Sequence, residues 1–205
     1  MFHFIQAIAR AVLDVDVSLF KIINSHHNLF FDRFFSLVTY LGNGWVIIPL
    51  LFVLVLWRAP RSKRILTLAT VAAALSIGGL SNSVVKELVD RARPSIYFVS
   101  PETQTAPEEG RLFGVHVVGK RLNDDSFPSG HTNTAFALAT LAVLILGKRF
   151  WPAFIVAALV AYSRMYLGFH FPLDTLAGAC LGTTIALLVW RGASRLRPPE
   201  RRQAH

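Results

Sequence analysis

In the stretch SRMYLGFHFPLD, His170 and Asp174 stand four residues apart, with Arg164 six residues before the histidine and mostly apolar residues between them. A charged side chain at membrane depth costs at least a few kcal/mol, so its presence marks a cavity or a site. Four residues make about one helical turn, and Pro172 is tolerated in a first turn, so Asp174 can reach one ring nitrogen of His170. A carboxylate on one nitrogen fixes the tautomer and leaves the other nitrogen its lone pair, which describes an activated nucleophile. Two further polar clusters share this character. In KELVDRARP, Lys86 and Arg93 lie seven residues apart, two helical turns on about one face, with Pro94 expected to end the helix. In PSGH, Ser129 is placed to cap a helix, Gly130 allows close backbone approach, and His131 follows. A helix beginning there would aim free N–H groups and the positive end of its dipole at an anion.

Lys86, Arg93 and Arg164 gathered at one membrane face repel one another unless something anionic lies between them. A phosphoryl group fits, since Arg offers a planar fork of donors and Lys a compact point charge. Attack by His170 on phosphorus needs an acid for the departing oxygen, and His131 is the candidate. Two histidines and an aspartate could also ligate a metal, but three cations in the same pocket oppose a divalent ion, so neither metal nor cofactor is expected. Each cluster also has a plainer reading. End-of-helix cations snorkel to headgroups, and PSGH alone is a capped helix start with a headgroup-facing histidine.

The elements that must position these residues follow from hydropathy. The chain has 205 residues, 53% of them hydrophobic, and a mean hydropathy of +0.47, too apolar for an ordinary soluble domain. Apolar runs at 44–57, 65–85, 131–147, 150–167 and 175–190 approach the roughly 20 residues that cross hydrocarbon. Phe4, Ile8, Val12, Leu19 and Ile23 share a face opposite Arg10, Asp14, Asp16 and Lys21, which predicts an interfacial amphipathic helix over residues 1–28. Residues 29–41, carrying Asp32 and Arg33, read as a surface helix on the bilayer or as a continuation into the next span. The expected fold is all-α, a polytopic transmembrane bundle of five or six spans with an N-terminal amphipathic helix. It forms one domain over 1–205, with an amphipathic region at 1–43 and a motif-bearing core at 80–190.

Charge orients the bundle. The net charge of +9 is confined to short clusters between apolar runs, unlike the basic face of a nucleic-acid binder, so no nucleic-acid partner is expected. Arg58, Arg61, Lys63 and Arg64, then Lys148 and Arg149, then Arg191, Arg195, Arg197, Arg201 and Arg202 fall on one side if the spans alternate. The positive-inside rule makes that side cytoplasmic. All three polar clusters then converge on the outer face, joined by a long polar loop at 95–127 that is a candidate lid. The single cysteine, Cys180, forms no intrachain disulfide.

Together the three stretches resemble the signature of the type 2 phosphatidic acid phosphatase superfamily, K-x6-RP, PSGH and SR-x5-H-x3-D, with every position present between Leu80 and Trp190. The resemblance implies that Lys86, Arg93, Ser129, Gly130 and Arg164 bind the phosphoryl group. It further implies that His170 is the nucleophile forming a phosphohistidine, that Asp174 orients it, that His131 is the acid, and that no metal is needed. Soluble vanadium-dependent haloperoxidases share the signature, but here the motifs are interleaved with apolar spans. Bacterial members of about this length resemble phosphatases of undecaprenyl diphosphate, phosphatidylglycerophosphate, phosphatidate or lipid A phosphate. The expectation is a lipid phosphatase in a bacterial inner membrane, its site facing the periplasm or the outside and its partners a lipid phosphate and membrane lipids. The alternative is a headgroup-binding protein or transporter without chemistry, which accounts for the cations but not for the His170–Asp174 pair.

Overall fold

The computed structural model describes residues 2–58, 61–98, 115–119 and 125–195. The greater part of the expected lid, and Arg197, Arg201 and Arg202, lie outside the described residues. The described chain is helical, with no strand elements: α1 (Phe2–Ser25), α2 (Leu29–Tyr40), α3 (Gly44–Arg58), α4 (Arg64–Val89), α5 (Pro94–Tyr97), α6 (Gly130–Leu146), α7 (Ala153–Tyr166) and α8 (Pro172–Arg195). Two helical stretches are long and apolar enough to cross a membrane, Arg61–Tyr97 and Pro172–Arg195, and Gly130–Leu146 is apolar but shorter.

Helix α6 is the centre of the bundle, touching α3, α4, α7 and α8. Its sequence, GHTNTAFALATLAVLIL, buries Ala135, Ala137, Ala139 and Ala142 on several sides. Small residues suit such a position, because helices in lipid associate through close van der Waals packing rather than through a hydrophobic driving force. The tightest seam runs between α6 and α8, where Gly178 and Gly182 recur four residues apart. A methyl group on Gly178 would stand 2.5 Å from the carbonyl oxygen of Ser129, and one on Gly182 would run into that of Asn133. The pairing of 178 with 129 and 182 with 133 makes α6 and α8 parallel neighbours. Helix α4 runs antiparallel to both, with Gly78 against Asn133 and Asn82 against Gly130. The site-bearing ends of α4, α6, α7 and α8 therefore meet at one end of the bundle. Lys63, Arg64, Lys148, Arg149, Arg191 and Arg195 mark the other, about 25 Å away along the 17 residues of α6.

The N-terminal helices depart from expectation in how their polar residues are used. On α1 the apolar Phe4, Ile8, Val12 and Leu19 are exposed, yet Asp16 is not on a water-facing side: Asp16, Phe20 and Asn24, one turn apart, are buried against the bundle. Asn24 donates to the carbonyls of His116 and Tyr166 and accepts from the His116 N–H, closing three hydrogen bonds between α1, the 115–119 segment and the end of α7. Helix α2 packs on α7 through Phe35 and Val38. Its Asp32 is turned inward, accepting the Tyr166 hydroxyl at 2.9 Å and lying 3.1 Å from His116 Nε2.

Gly182→Ala should destabilise the bundle by about 1–3 kcal/mol, the usual cost of overpacking, read as an earlier unfolding transition in detergent. A variant as stable as the parent would mean that α6 and α8 can part without cost.

Candidate active site

His170 lies in the five-residue link between α7 and α8, and the way that link folds decides what its ring can do. Gly168 takes a left-handed φ of +80°, a conformation favoured by glycine. A side chain there would also meet the His116 carbonyl oxygen, 2.5 Å from a Cβ. The peptide N–H groups of Phe169 and His170 both donate to the Arg164 carbonyl, which winds the link back over the end of α7. The imidazole ends up buried, with only 2% of the residue exposed.

One face of the ring belongs to Arg93. Its Nη1 lies 3.2 Å from His170 Nε2 and also donates to the Phe169 carbonyl at 3.0 Å. A guanidinium only donates, so Nε2 carries the lone pair and Nδ1 carries the hydrogen. On the Nδ1 side stand the Ser126 hydroxyl at 3.4 Å and Asp174 Oδ2 at 3.6 Å. Ser126 donates to that same Oδ2 at 2.5 Å, and the Phe171 N–H donates to it at 2.7 Å. Burial outweighs the favourable carboxylate and pushes the His170 imidazole down to about 4, so the ring is neutral near pH 7.

The remaining members of the three motifs converge on this ring. Lys86, near the end of α4, donates from Nζ to the Asp125 carbonyl. Arg164, in the last turn of α7, donates to Thr39 Oγ1 of α2 at 2.9 Å and lies over the Phe169 ring. Ser129 is the residue before α6, its N–H donating to the Asp174 carbonyl and its hydroxyl accepting from Thr132 Oγ1. Gly130 and His131 open α6, and Arg164, His170, Arg93 and Lys86 all lie within electrostatic reach of His131. Thus the eight expected site residues share one end of the bundle. Chemically, the arrangement offers a neutral imidazole lone pair, three cations, a helix N-terminus and a second imidazole around one space, which suits phosphoryl chemistry.

Two expectations about local geometry need correcting. Lys86 and Arg93 do not share a helix face: α4 ends at Val89, Asp90 adopts a left-handed φ of +46°, and Pro94 opens α5 rather than ending α4. Arg93 reaches His170 by leaving the helix, which a rigid two-turn spacing would not allow. Nor does Asp174 reach His170 along a helical turn. Helix α8 begins at Pro172, so the ring approaches from the preceding link, and Ser126 stands beside the contact of Nδ1 with the carboxylate. Ser129 holds the capping position but its side chain makes no capping bond. Residues that the motif reading missed also stand here. Ser126 lies three residues before Ser129, and Arg91 lies inside KELVDRARP. The RAR repeat was the one available signal for Arg91, and nothing local distinguished Ser126.

A helical bundle with three cations gathered near a buried histidine at one end suits a membrane phosphatase. Residues 65–198 match the PAP2 superfamily, and the chain belongs to that superfamily as an integral membrane enzyme. The match contains every residue of the three motifs. The chain is 33% identical over 177 residues to a lipid A 4'-phosphatase of Bacteroides thetaiotaomicron, covering 82% of this chain and 72% of that one. It is 30% identical over 174 residues to an undecaprenyl-diphosphatase of Sulfolobus acidocaldarius, covering 84% and 76%. Among solved structures, a transmembrane PAP2-type phosphatidylglycerolphosphate phosphatase from Bacillus subtilis superposes with a TM-score of 0.68 at 26% identity, over 98% of this chain and 96% of that one.

Because His170 is held neutral, its lone pair should survive acidification past the ordinary imidazole value. With substrate ionisation corrected, kcat/KM for a soluble aryl phosphate should lose His170 only as the pH approaches about 4. An acid limb near the ordinary value of about 6.5 would show a solvated ring.

Proposed function

We propose that the chain hydrolyses a lipid phosphate or diphosphate through a phosphohistidine at His170, on the outer side of a bacterial inner membrane. The observation that carries this reading is the orientation of the ring, with Nε2 bearing its lone pair toward Arg93 while Nδ1 is turned to Ser126 and Asp174. Nε2 attacks phosphorus and the phosphorus–oxygen bond to the lipid breaks. His131 gives the departing oxygen its proton. Water then attacks the phosphohistidine, His131 takes the proton, and phosphate leaves with Nε2 restored. Lys86, Arg93 and Arg164, with Ser129 and Gly130 at the start of α6, hold the three phosphoryl oxygens and balance the charge that builds on them. No metal enters this scheme, since the cations take its electrostatic part.

Two of the similar proteins carry names that state phosphorylated lipid substrates, a lipid A and an undecaprenyl diphosphate, and this supports a lipid carrier for the phosphate. In our reading α3, α4, α6, α7 and α8 span the membrane, with α1 lying at the interface or making a sixth span. The exposed apolar side chains around these helices, among them Trp57, Ile65, Leu80 and Leu188, then face lipid. The basic clusters opposite the site make that end cytoplasmic.

The decisive assay is phosphate release from a panel of lipid phosphates in detergent with excess EDTA, where turnover should persist. Binding of the same lipids without release would favour the headgroup-binding alternative, and restoration of turnover by one divalent ion would refute the metal-free scheme. The two histidines separate by leaving group. His170→Ala should abolish turnover on every substrate. His131→Ala should lose about 10²–10⁴-fold on an alkyl phosphate and much less on an activated aryl phosphate, with Asp174→Asn between them. Equal losses on both substrates for His131→Ala would reverse or remove its role as acid. For sidedness, after Cys180→Ser, a cysteine at Thr103 should label from outside intact cells and one at Ser62 should not; the opposite pattern inverts the orientation.

A further inference from the structure

The motif residues leave one strongly charged group in the site unused. Arg91 lies two residues before Arg93, yet its guanidinium turns toward two carboxylates. Nη1 donates to Asp174 Oδ1 at 2.6 Å, and Nη2 donates to Asp16 Oδ2. The plane of the fork rests on Phe171, with Cζ 4.3 Å from the ring centroid. Asp16 comes from α1, is only 2% exposed, and uses its other oxygen, Oδ1, to accept the Leu173 N–H at 2.7 Å. The two carboxylates are thus joined through one guanidinium. Asp174 has both oxygens committed: Oδ2 to Ser126, the Phe171 N–H and the His170 ring, Oδ1 to Arg91.

This arrangement is costly unless it does something. Two carboxylates and a guanidinium withdrawn from water need good geometry to offset desolvation, and Asp16 lies on a helix that contributes none of the phosphoryl-binding groups. What the arrangement achieves is directional. With Oδ1 held by Arg91, the carboxylate cannot rotate, and Oδ2 stays aimed at Ser126 and Nδ1. With Arg91 held in turn by Asp16, the guanidinium is kept from swinging toward the cation-lined space beside Arg93. We propose that Arg91, anchored by Asp16 of α1, is a positioning residue that locks Asp174 and so orients the His170 imidazole, making the N-terminal helix a working part of the catalytic end. This inference rests on the reading of His170 as nucleophile.

The test compares kcat and KM of Arg91→Met, Arg91→Lys, Asp16→Asn and the double variant Asp16→Asn/Arg91→Met in the full-length detergent-solubilised enzyme. Arg91→Met should lower kcat by about 10- to 100-fold, the range seen when the partner of an oriented ligand is removed. KM should change little, since the guanidinium does not hold the phosphoryl group. Arg91→Lys, which keeps one charge but loses the fork, should fall between. Asp16→Asn should cost less than Arg91→Met, and the double variant no more than Arg91→Met alone, because the amide oxygen can still accept the Leu173 N–H and what the substitution removes passes through Arg91. Adding guanidinium ion to Arg91→Gly should restore part of kcat, a response that a purely structural role would not give. A rise in KM at constant kcat would make Arg91 a substrate-binding residue, and losses that multiply in the double variant, or no rescue, would overturn the relay. If Arg91→Met does not fold, Arg91→Lys and Asp16→Asn carry the same comparison. His170→Gln separates the two claims: if it turns over, the nucleophile reading fails whatever Arg91 does, and if it is dead while Arg91→Met runs at the parental rate, only the positioning role fails.

Discussion

The buried carboxylate of Asp174 is the constraint around which this end of the bundle is built. It is fully withdrawn from solvent, and removing one partner from such a buried pair costs about 3–5 kcal/mol, because the remaining charge is left uncompensated. The chain satisfies it from four directions: Arg91 after α4, Ser126 before α6, the Phe171 N–H, and the His170 ring from the link after α7. These partners come from three segments: the one after α4, the one before α6, and the link between α7 and α8. Holding the carboxylate therefore fixes where α4, α6, α7 and α8 must end relative to one another.

That convergence is possible because the helices approach closely just below the site. Gly178 and Gly182 let α8 press against the backbone of α6 at Ser129 and Asn133, and Asn133 donates to the Gly78 carbonyl of α4. In lipid, such backbone proximity and interhelical hydrogen bonding do the work that water-driven burial does in a soluble core. The consequence reaches the chemistry directly. The Ser129 N–H donates to the Asp174 carbonyl, so the start of α6 and the start of α8 are joined by a backbone bond at the level of the phosphoryl site. Side chains much larger than hydrogen at 178 or 182 would lever these two starts apart.

Much of the site was legible in the sequence because its motifs are short and their polar residues stand out against apolar spans. Lys86, Arg93, Ser129, His131, Arg164, His170 and Asp174 stand out that way as candidates, and the structure brings them to one end of a helical bundle. What escaped were partnerships over long separations. Asp16 meets Arg91 across 75 residues and the Leu173 N–H across 157, and nothing in the 3.6-residue periodicity of α1 distinguishes a carboxylate turned to water from one turned to a guanidinium. The recurrence of Asp16, Phe20 and Asn24 at intervals of four was the readable trace, a second face with its own packing role. The links were misread for a different reason. Periodicity extends helices through short connections, so it carried Arg93 onto α4 and His170 onto α8, whereas Asp90 and Gly168 turn the backbone at those places.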